Sequence, residues 1–210
     1  VKPDNFVMGT GDHSHVCYVI DFGLAKKYRN PITKKHVPWS QRDGLEGTAR
    51  YASINAHKGI QQSRRDDLES LAYVLIYLLK GGLPWQGLKA QTKKEKYQRI
   101  LGAKSTMSPT EVTAGCPEAF EKFLIYARNL GFDQDPNYEQ IRTWFNETFE
   151  KEGYKWDYQY DWVKSNNSTA TNSKTTGKKN NNATNNHVSG NNNNKENKGV
   201  VAAAAAVLGK

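Results

Sequence analysis

The chain has 210 residues, of which 37% are hydrophobic and 24% charged, with a formal net charge of +9. This length allows one folded domain with a tail. The longest apolar run near the end, residues 200–208, is too short and too rich in alanine to span a membrane. The two cysteines, Cys17 and Cys116, show no paired spacing of a disulfide framework or metal site. We therefore expect a protein of a reducing compartment, cytoplasmic or nuclear, with no membrane span.

Most of the positive charge lies in the last part of the chain. From Val163 onward, seven lysines and one glutamate carry +6, so residues 1–162 carry only +3. Residues 163–199 are mainly Asn, Ser, Thr, Lys and Gly, a composition with almost nothing to bury. We therefore predict a folded domain over residues 1–162 and a disordered tail over residues 163–210. Lysines scattered among asparagines, without interleaved aromatic residues, predict no specific nucleic-acid binding.

Two short apolar runs near the start predict a β-hairpin. They cover residues 6–8 and 16–20, and pairing them would bring Asn5, before the first run, close to Asp21, after the second. Amide and carboxylate oxygens are hard ligands that Mg²⁺ accepts alongside phosphate oxygens. Lys2 would add a cation beside a transferred phosphoryl group. The alternative is a surface hairpin with incidental polar residues.

Residues 24–55 show little helical or strand periodicity and are rich in glycine, proline and charge. A long ordered loop between regular elements is usually functional. Because this loop begins at the candidate metal ligand Asp21, we expect it to bind substrate. A flexible surface insertion is the alternative.

Four helices are predicted after this loop. The first covers residues 63–80; Ser63 caps it, and it is apolar almost all round after Leu68, which is typical of a buried central helix. A capping box at Thr92 and Glu95 opens a second helix through Leu101. The third starts with Pro117 at its first helical position and ends at Gly131, and the fourth runs over about 137–151. The apolar faces of the last two helices predict these core residues: Phe120, Phe123, Leu124, Ala127, Leu130, Tyr138, Ile141, Phe145 and Phe149.

Several motifs together resemble those of protein kinases. Lys2-Pro3-Asp4-Asn5, two short strands and then Asp21-Phe22-Gly23 follow the order of a kinase catalytic loop and metal loop. Most kinases have Ala-Pro-Glu where this chain has Ser53-Ile54-Asn55, and that substitution resembles the casein kinase I family, as does Leu83-Pro84-Trp85-Gln86-Gly87-Leu88-Lys89. The likeness runs from Val1 to about Trp162. It implies a kinase large lobe, mainly α-helical around one buried helix, with a small β-hairpin.

The resemblance implies roles for five residues of the phosphoryl-transfer centre. Asp21 would bind the Mg²⁺ that bridges the phosphates of ATP, and Asn5 would bind at the second metal position. Lys2 would neutralise the transferred phosphoryl group, and Thr48 would hold Lys2 and the catalytic aspartate in register. Asp67 matches the acid that anchors the catalytic loop.

A second set of residues matches the family's anion site. Arg50, Gly87 and Lys96 correspond to a site that favours substrates already phosphorylated, or acidic, upstream of the target Ser or Thr. Two cations and a backbone N–H suit a phosphate, because charge-assisted hydrogen bonds are the stronger ones. Ordinary surface charge is the alternative for Arg50 and Lys96. The implied cofactors are ATP and Mg²⁺, and the implied partners are acidic or phosphorylated proteins bound by a monomer.

The chain also departs from the family pattern. Asp43 stands where the family usually has a lysine, and Ala72 replaces a common glycine. A glycine-rich loop, a strand lysine paired with a helix glutamate and an adenine-binding hinge are not found, and the catalytic base would immediately precede Val1. We therefore expect a kinase piece without its smaller lobe that does not transfer phosphate by itself. The alternative is a non-catalytic module that binds phosphopeptides, or a pseudokinase remnant.

Overall fold

The computed structural model describes residues 1–42, 44–158 and 160. Over these residues the protein is mainly helical, with six α-helices and one two-stranded antiparallel sheet. This confirms the predicted class of a helical domain with a small hairpin. The predicted tail, residues 163–210, lies outside the described residues.

The hairpin consists of β1 (Phe6–Met8) and β2 (Cys17–Val19). Phe6 pairs with Val19 and Met8 with Cys17, so the two strands run antiparallel without a bulge. The strand β2 is shorter than the predicted run of residues 16–20, although one further backbone hydrogen bond continues the pairing at each of its ends, from Gly9 to Val16 and from Ile20 to Asn5. Phe6 packs against the hydrophobic core, which attaches the hairpin to the helices.

All four predicted helices begin within one residue of their expected starts. The bounds are α1 (Ile54–His57), α2 (Arg64–Lys80), α3 (Lys93–Thr106), α4 (Pro109–Val112), α5 (Glu118–Asn129) and α6 (Tyr138–Lys151). The helix α3 continues past the predicted end at Leu101, and Pro117 is the N-cap of α5 rather than its first residue. The short helices α1 and α4 were not expected.

The core lies between α2, α5 and α6. Residues 72–76 of α2 are all buried, as are the predicted positions of α5 and α6 with one exception. Tyr138 is exposed because it lies in the first turn of α6, before the helix reaches the core.

The burial of α2 that its apolar sequence after Leu68 predicts is incomplete, because it fails at Leu78. Leu78 is 43% exposed and Asp67, about three turns earlier on the same side of the helix, is exposed as well. Leu78 lies about 200° around the axis from the buried Ile76 and therefore points away from the core. Among the described residues, no helix is long and apolar enough to cross a lipid bilayer.

Candidate active site

The hairpin brings Asn5 and Asp21 together at its open end. The amide of Ile20 donates to the carbonyl of Asn5 over 2.9 Å, so Asp21 is the first residue beyond the paired strands. Asp21 adopts a left-handed backbone with φ 63°, which asparagine and aspartate tolerate better than other residues with a side chain. Its Oδ1 accepts a hydrogen bond from the amide of Gly23 over 3.2 Å. Backbone geometry therefore fixes the exposed carboxylate beside the Asn5 turn.

Lys2 lies on the same turn as Asn5. Pro3–Asn5 form a single 3-10 turn in which the Asn5 amide donates to the Lys2 carbonyl over 3.1 Å. Lys2 and Asn5 are both half-buried, whereas Asp21 is exposed. The structure thus places the predicted cation and the two predicted metal ligands around one end of the hairpin.

The donor set at this end suits a cation that also takes ligands from a phosphate. Among the described residues, no group of three or more His, Cys, Asp or Glu side chains could hold a metal ion. Asn5 and Asp21 offer two hard oxygen ligands, which is too few for a closed protein site. Mg²⁺ commonly keeps such a small protein ligand set and completes its octahedron with water and phosphate oxygens. The residues present therefore fit Mg²⁺ bound together with a nucleotide.

Two titratable side chains, Tyr51 and Asp67, have raised pKa values. Asp67 keeps contact with solvent as a whole residue, but the protein packed around its carboxyl raises the pKa of that group, and the nearby Asp66 adds to the rise. Burial also raises the pKa of the Tyr51 hydroxyl, with a small further contribution from the Asp4 carboxylate. Asp4 therefore lies near Tyr51, and the role of Asp67 in anchoring the catalytic loop stays a prediction.

Thr48 opens a tight turn next to this region. Its carbonyl accepts hydrogen bonds from the amides of Tyr51 (3.0 Å) and Ala52 (3.1 Å), and its side chain is exposed. Among the described residues, no hydrogen bond joins Thr48 to Lys2, so its role in holding Lys2 stays a prediction.

The segments that contain Arg50, Gly87 and Lys96 pack on one another. Trp85 Nε1 donates to the Arg50 carbonyl over 2.7 Å, and Gly87 follows two residues later with φ 75°. Lys96 lies in the first turn of α3, beside Tyr97, whose ring packs edge-on against His57. The three residues are exposed. These three groups therefore come from adjoining elements, and their joint binding of an anion stays a prediction.

A cleft of about 460 Å³ lies beside the loop that follows Asp21. Its lining includes both cations and acids: Lys26, Lys27, Arg42, Glu46, Arg64 and Asp67. At its rim the Lys26 ammonium pairs with the Glu46 carboxylate over 2.7 Å, which offsets one of these positive charges. Asp43, which stands where the family that the sequence resembles usually has a lysine, lies outside the described residues.

A buried lysine that the sequence did not single out lies behind the anion-site segments. Lys104 of α3 is fully buried, and its Nζ donates to the carbonyls of Ala49 (2.9 Å) and Ala52 (2.5 Å). The ammonium also lies over the rings of Tyr73 (4.8 Å) and Trp85 (4.9 Å). Sequence alone does not distinguish Lys104 from the exposed lysines earlier in α3, because only the packing of distant segments buries it.

Lys104 belongs to a larger polar cluster. The Glu69 carboxylate accepts hydrogen bonds from Tyr73 (2.6 Å) and the Ile54 amide (3.1 Å). Arg128 of α5 donates to the Tyr73 hydroxyl (3.0 Å) and the Lys104 carbonyl (3.1 Å). The cluster therefore ties α2, α3 and α5 to the end of the long loop.

Burial shifts the titration of two basic groups in this cluster. It lowers the pKa of Lys104 to about 7; the Glu69 carboxylate opposes this shift and Arg128 reinforces it. It also lowers the pKa of His57 to about 4, with help from the Lys104 charge. His57 Nε2 lies 3.1 Å from the Ala49 carbonyl.

A search of the sequence against models of known protein families finds no match.

Proposed function

We propose that this chain forms the larger lobe of a serine/threonine protein kinase of casein kinase I type. The complete protein would transfer phosphate from ATP to Ser or Thr residues of proteins that are acidic or already phosphorylated. The observation that supports this most is the hairpin end, where Asn5 and Asp21 meet beside the Lys2 turn. The order of these motifs along the chain agrees with that reading.

Three side chains would divide the work at this centre. Asn5 and Asp21 would hold Mg²⁺, which when bound shields the negative charge of the nucleotide phosphates. Lys2 would place a positive charge beside the phosphoryl group as it moves to the substrate hydroxyl. Catalysis of this kind depends on positioning and charge neutralisation rather than on covalent chemistry by the protein.

Substrate preference would come from the exposed cations. Among the described residues, Arg50 and Lys96 form no salt bridge, so their charges are available to an anion. The Arg50 guanidinium lies 5.6 Å from the centre of the Tyr77 ring, which limits its freedom. A phosphorylated residue on the substrate would bind to both cations, and this contact would position the target hydroxyl in the active site.

The metal assignment can be tested on this chain directly. Mn²⁺ added with ADP should broaden the amide NMR signals of Asn5 and of residues 21–23 before those of other residues. Asp21→Asn should remove this selective broadening, because it deletes one of two oxygen ligands. Asp12→Asn is the matched control, since Asp12 is an exposed aspartate in the loop at the opposite end of the same hairpin.

Activity is tested in the complete protein. There, Asp21→Asn should abolish phosphate transfer to an acidic peptide while Asp12→Asn keeps it. Full turnover by the Asp21→Asn protein would overturn the assignment of Asp21.

Within the described part of the chain Arg50 and Lys96 form no ion pair, and this also favours a second function, a module that binds phosphopeptides without catalysis. Both functions predict that this chain prefers a phosphopeptide to its plain counterpart. They differ in the complete protein, where only the kinase consumes ATP. Equal affinity for both peptides would rule the module out.

A further inference from the structure

Three carbonyl groups in the turn over residues 48–52 receive hydrogen bonds from side chains of distant elements. Lys104 of α3 donates to the carbonyls of Ala49 and Ala52. Trp85, from the loop after α2, donates to the carbonyl of Arg50, which lies between them. Lys104 and Trp85 are both almost completely buried, so solvent does not compete for these bonds.

The same two elements present the other members of the candidate anion site. Lys96 lies about two turns before Lys104 on α3, and Gly87 follows Trp85 in the same loop. The Lys104 ammonium also lies 4.9 Å from the centre of the Trp85 ring, so the two donors contact each other. The backbone behind Arg50 is thus fastened to the elements that carry Gly87 and Lys96.

We propose that Lys104 and Trp85 are positioning residues of the anion site, fixing the backbone that presents Arg50 relative to Gly87 and Lys96. Neither side chain would touch the bound phosphate, because both are buried behind the turn. This inference rests on the proposed function, since it assumes that Arg50, Gly87 and Lys96 bind a phosphorylated substrate. It explains how Arg50, Gly87 and Lys96 keep fixed positions relative to one another.

Two variants of the 210-residue chain test the inference. Lys104→Met keeps most of the volume but removes the ammonium donor, and Trp85→Phe keeps an aromatic ring but removes the indole N–H. Lys80→Met is the matched control, because Lys80 also donates to two carbonyls, those of Val112 (3.3 Å) and Ala114 (2.9 Å). It is an exposed residue at the end of α2.

Two measurements are made on each protein. The first is hydrogen exchange of the Tyr51 and Ala52 amides, both of which donate to the Thr48 carbonyl. We expect about tenfold faster exchange in Lys104→Met and no change in Lys80→Met. The second is the ratio of affinities for a phosphopeptide and its unphosphorylated counterpart, which a purely structural role would not alter in the folded protein.

We expect this ratio to fall at least about fivefold in both Lys104→Met and Trp85→Phe, and to stay unchanged in Lys80→Met. If Lys104→Met does not fold, Trp85→Phe decides the question alone. An unchanged ratio in the folded variants would overturn the positioning role and leave the anion site intact. Equal affinity of the unaltered chain for both peptides would instead overturn the anion site, and with it the role of both residues.

Discussion

The core between α2, α5 and α6 and the open end of the hairpin are built in different ways. In the core, the Phe145 ring packs edge-on against Phe120 (5.2 Å between centroids) and Phe123 (5.8 Å), and all three are buried. At the hairpin end, Asp21 and Phe22 are exposed, and backbone hydrogen bonds hold the geometry. Stability is therefore concentrated away from the candidate chemistry. Substitutions in the core should change folding, and those at the hairpin end should change function.

The largest effect is expected from Phe145→Ala. Truncating this buried ring leaves a cavity between α5 and α6 and should lower the free energy of unfolding by about 3 to 5 kcal/mol. Urea denaturation followed by circular dichroism measures it. Phe22→Ala is the matched control, because Phe22 is 69% exposed and its truncation should cost less than about 0.5 kcal/mol. Equal losses in the two variants would contradict the contrast between the regions.

Sequence periodicity predicted the core well because burial there follows helix geometry. The face formed by Phe120, Phe123, Leu124 and Ala127 is buried as the 3.6-residue repeat requires. The helix α4 was missed although its signal is present: Ser108, Pro109 and Glu111 form a capping box with proline at the first helical position. A single turn of helix has no repeat, and only such local capping could reveal it.

The candidate site was predictable only in part. The hairpin that brings Asn5 close to Asp21 follows from two apolar runs and the short loop between them. The burial of Lys104 and Glu69 could not be predicted, because both lie in helices where charged residues usually face solvent. Their partners, such as the carbonyls of Ala49 and Ala52, come from far along the chain, and no local pattern encodes that contact.

A second effect, smaller than that of Phe145→Ala, is expected in the buried polar layer. Asp66 is fully buried and accepts hydrogen bonds from Ser53 Oγ (2.6 Å), Asn55 Nδ2 (3.2 Å) and the Ser63 amide (2.8 Å). Asp66→Asn replaces one acceptor oxygen with an NH₂ group, so at least one donor then faces another donor. We expect a loss of about 2 to 3 kcal/mol in the free energy of unfolding by urea denaturation.

The exposed Asp12 provides the control for Asp66. Asp12→Asn should change the free energy of unfolding by less than about 0.5 kcal/mol. A comparable loss in both variants would mean that Asp66 contributes no more than a surface carboxylate.

The third effect depends on pH. Burial lowers the pKa of His57 from 6.5 to about 4, so the unfolded chain binds more protons than the folded one between these values. The free energy of unfolding should therefore fall as the pH drops from about 7 to 4, by about 2 kcal/mol from this group after allowance for the solvent contact of its half-buried ring, and show almost no contribution from it above about pH 7.5.

Comparison with His57→Gln isolates this contribution. The variant should lose less stability than the unaltered chain between pH 7 and pH 4.5, while carboxylates such as Glu69 act equally in both proteins. Lys104, with a pKa of about 7, titrates mainly above this window. Parallel pH profiles of the two proteins would show that His57 takes up its proton in the folded state.

The smallest effect is expected at Asp21, where two substitutions distinguish the cost of backbone strain from the loss of the metal ligand. With φ 63°, this position favours glycine over alanine by about 1 kcal/mol, because a Cβ crowds the following carbonyl in the left-handed region. Asp21→Gly and Asp21→Ala both remove the metal ligand and the hydrogen bond to the Gly23 amide. They should therefore differ in urea denaturation, with the glycine variant more stable, yet lose the selective Mn²⁺ broadening equally. If the more stable glycine variant kept more of the Mn²⁺ broadening than the alanine variant, binding of the ion would depend on the shape of this turn and not on the carboxylate of Asp21.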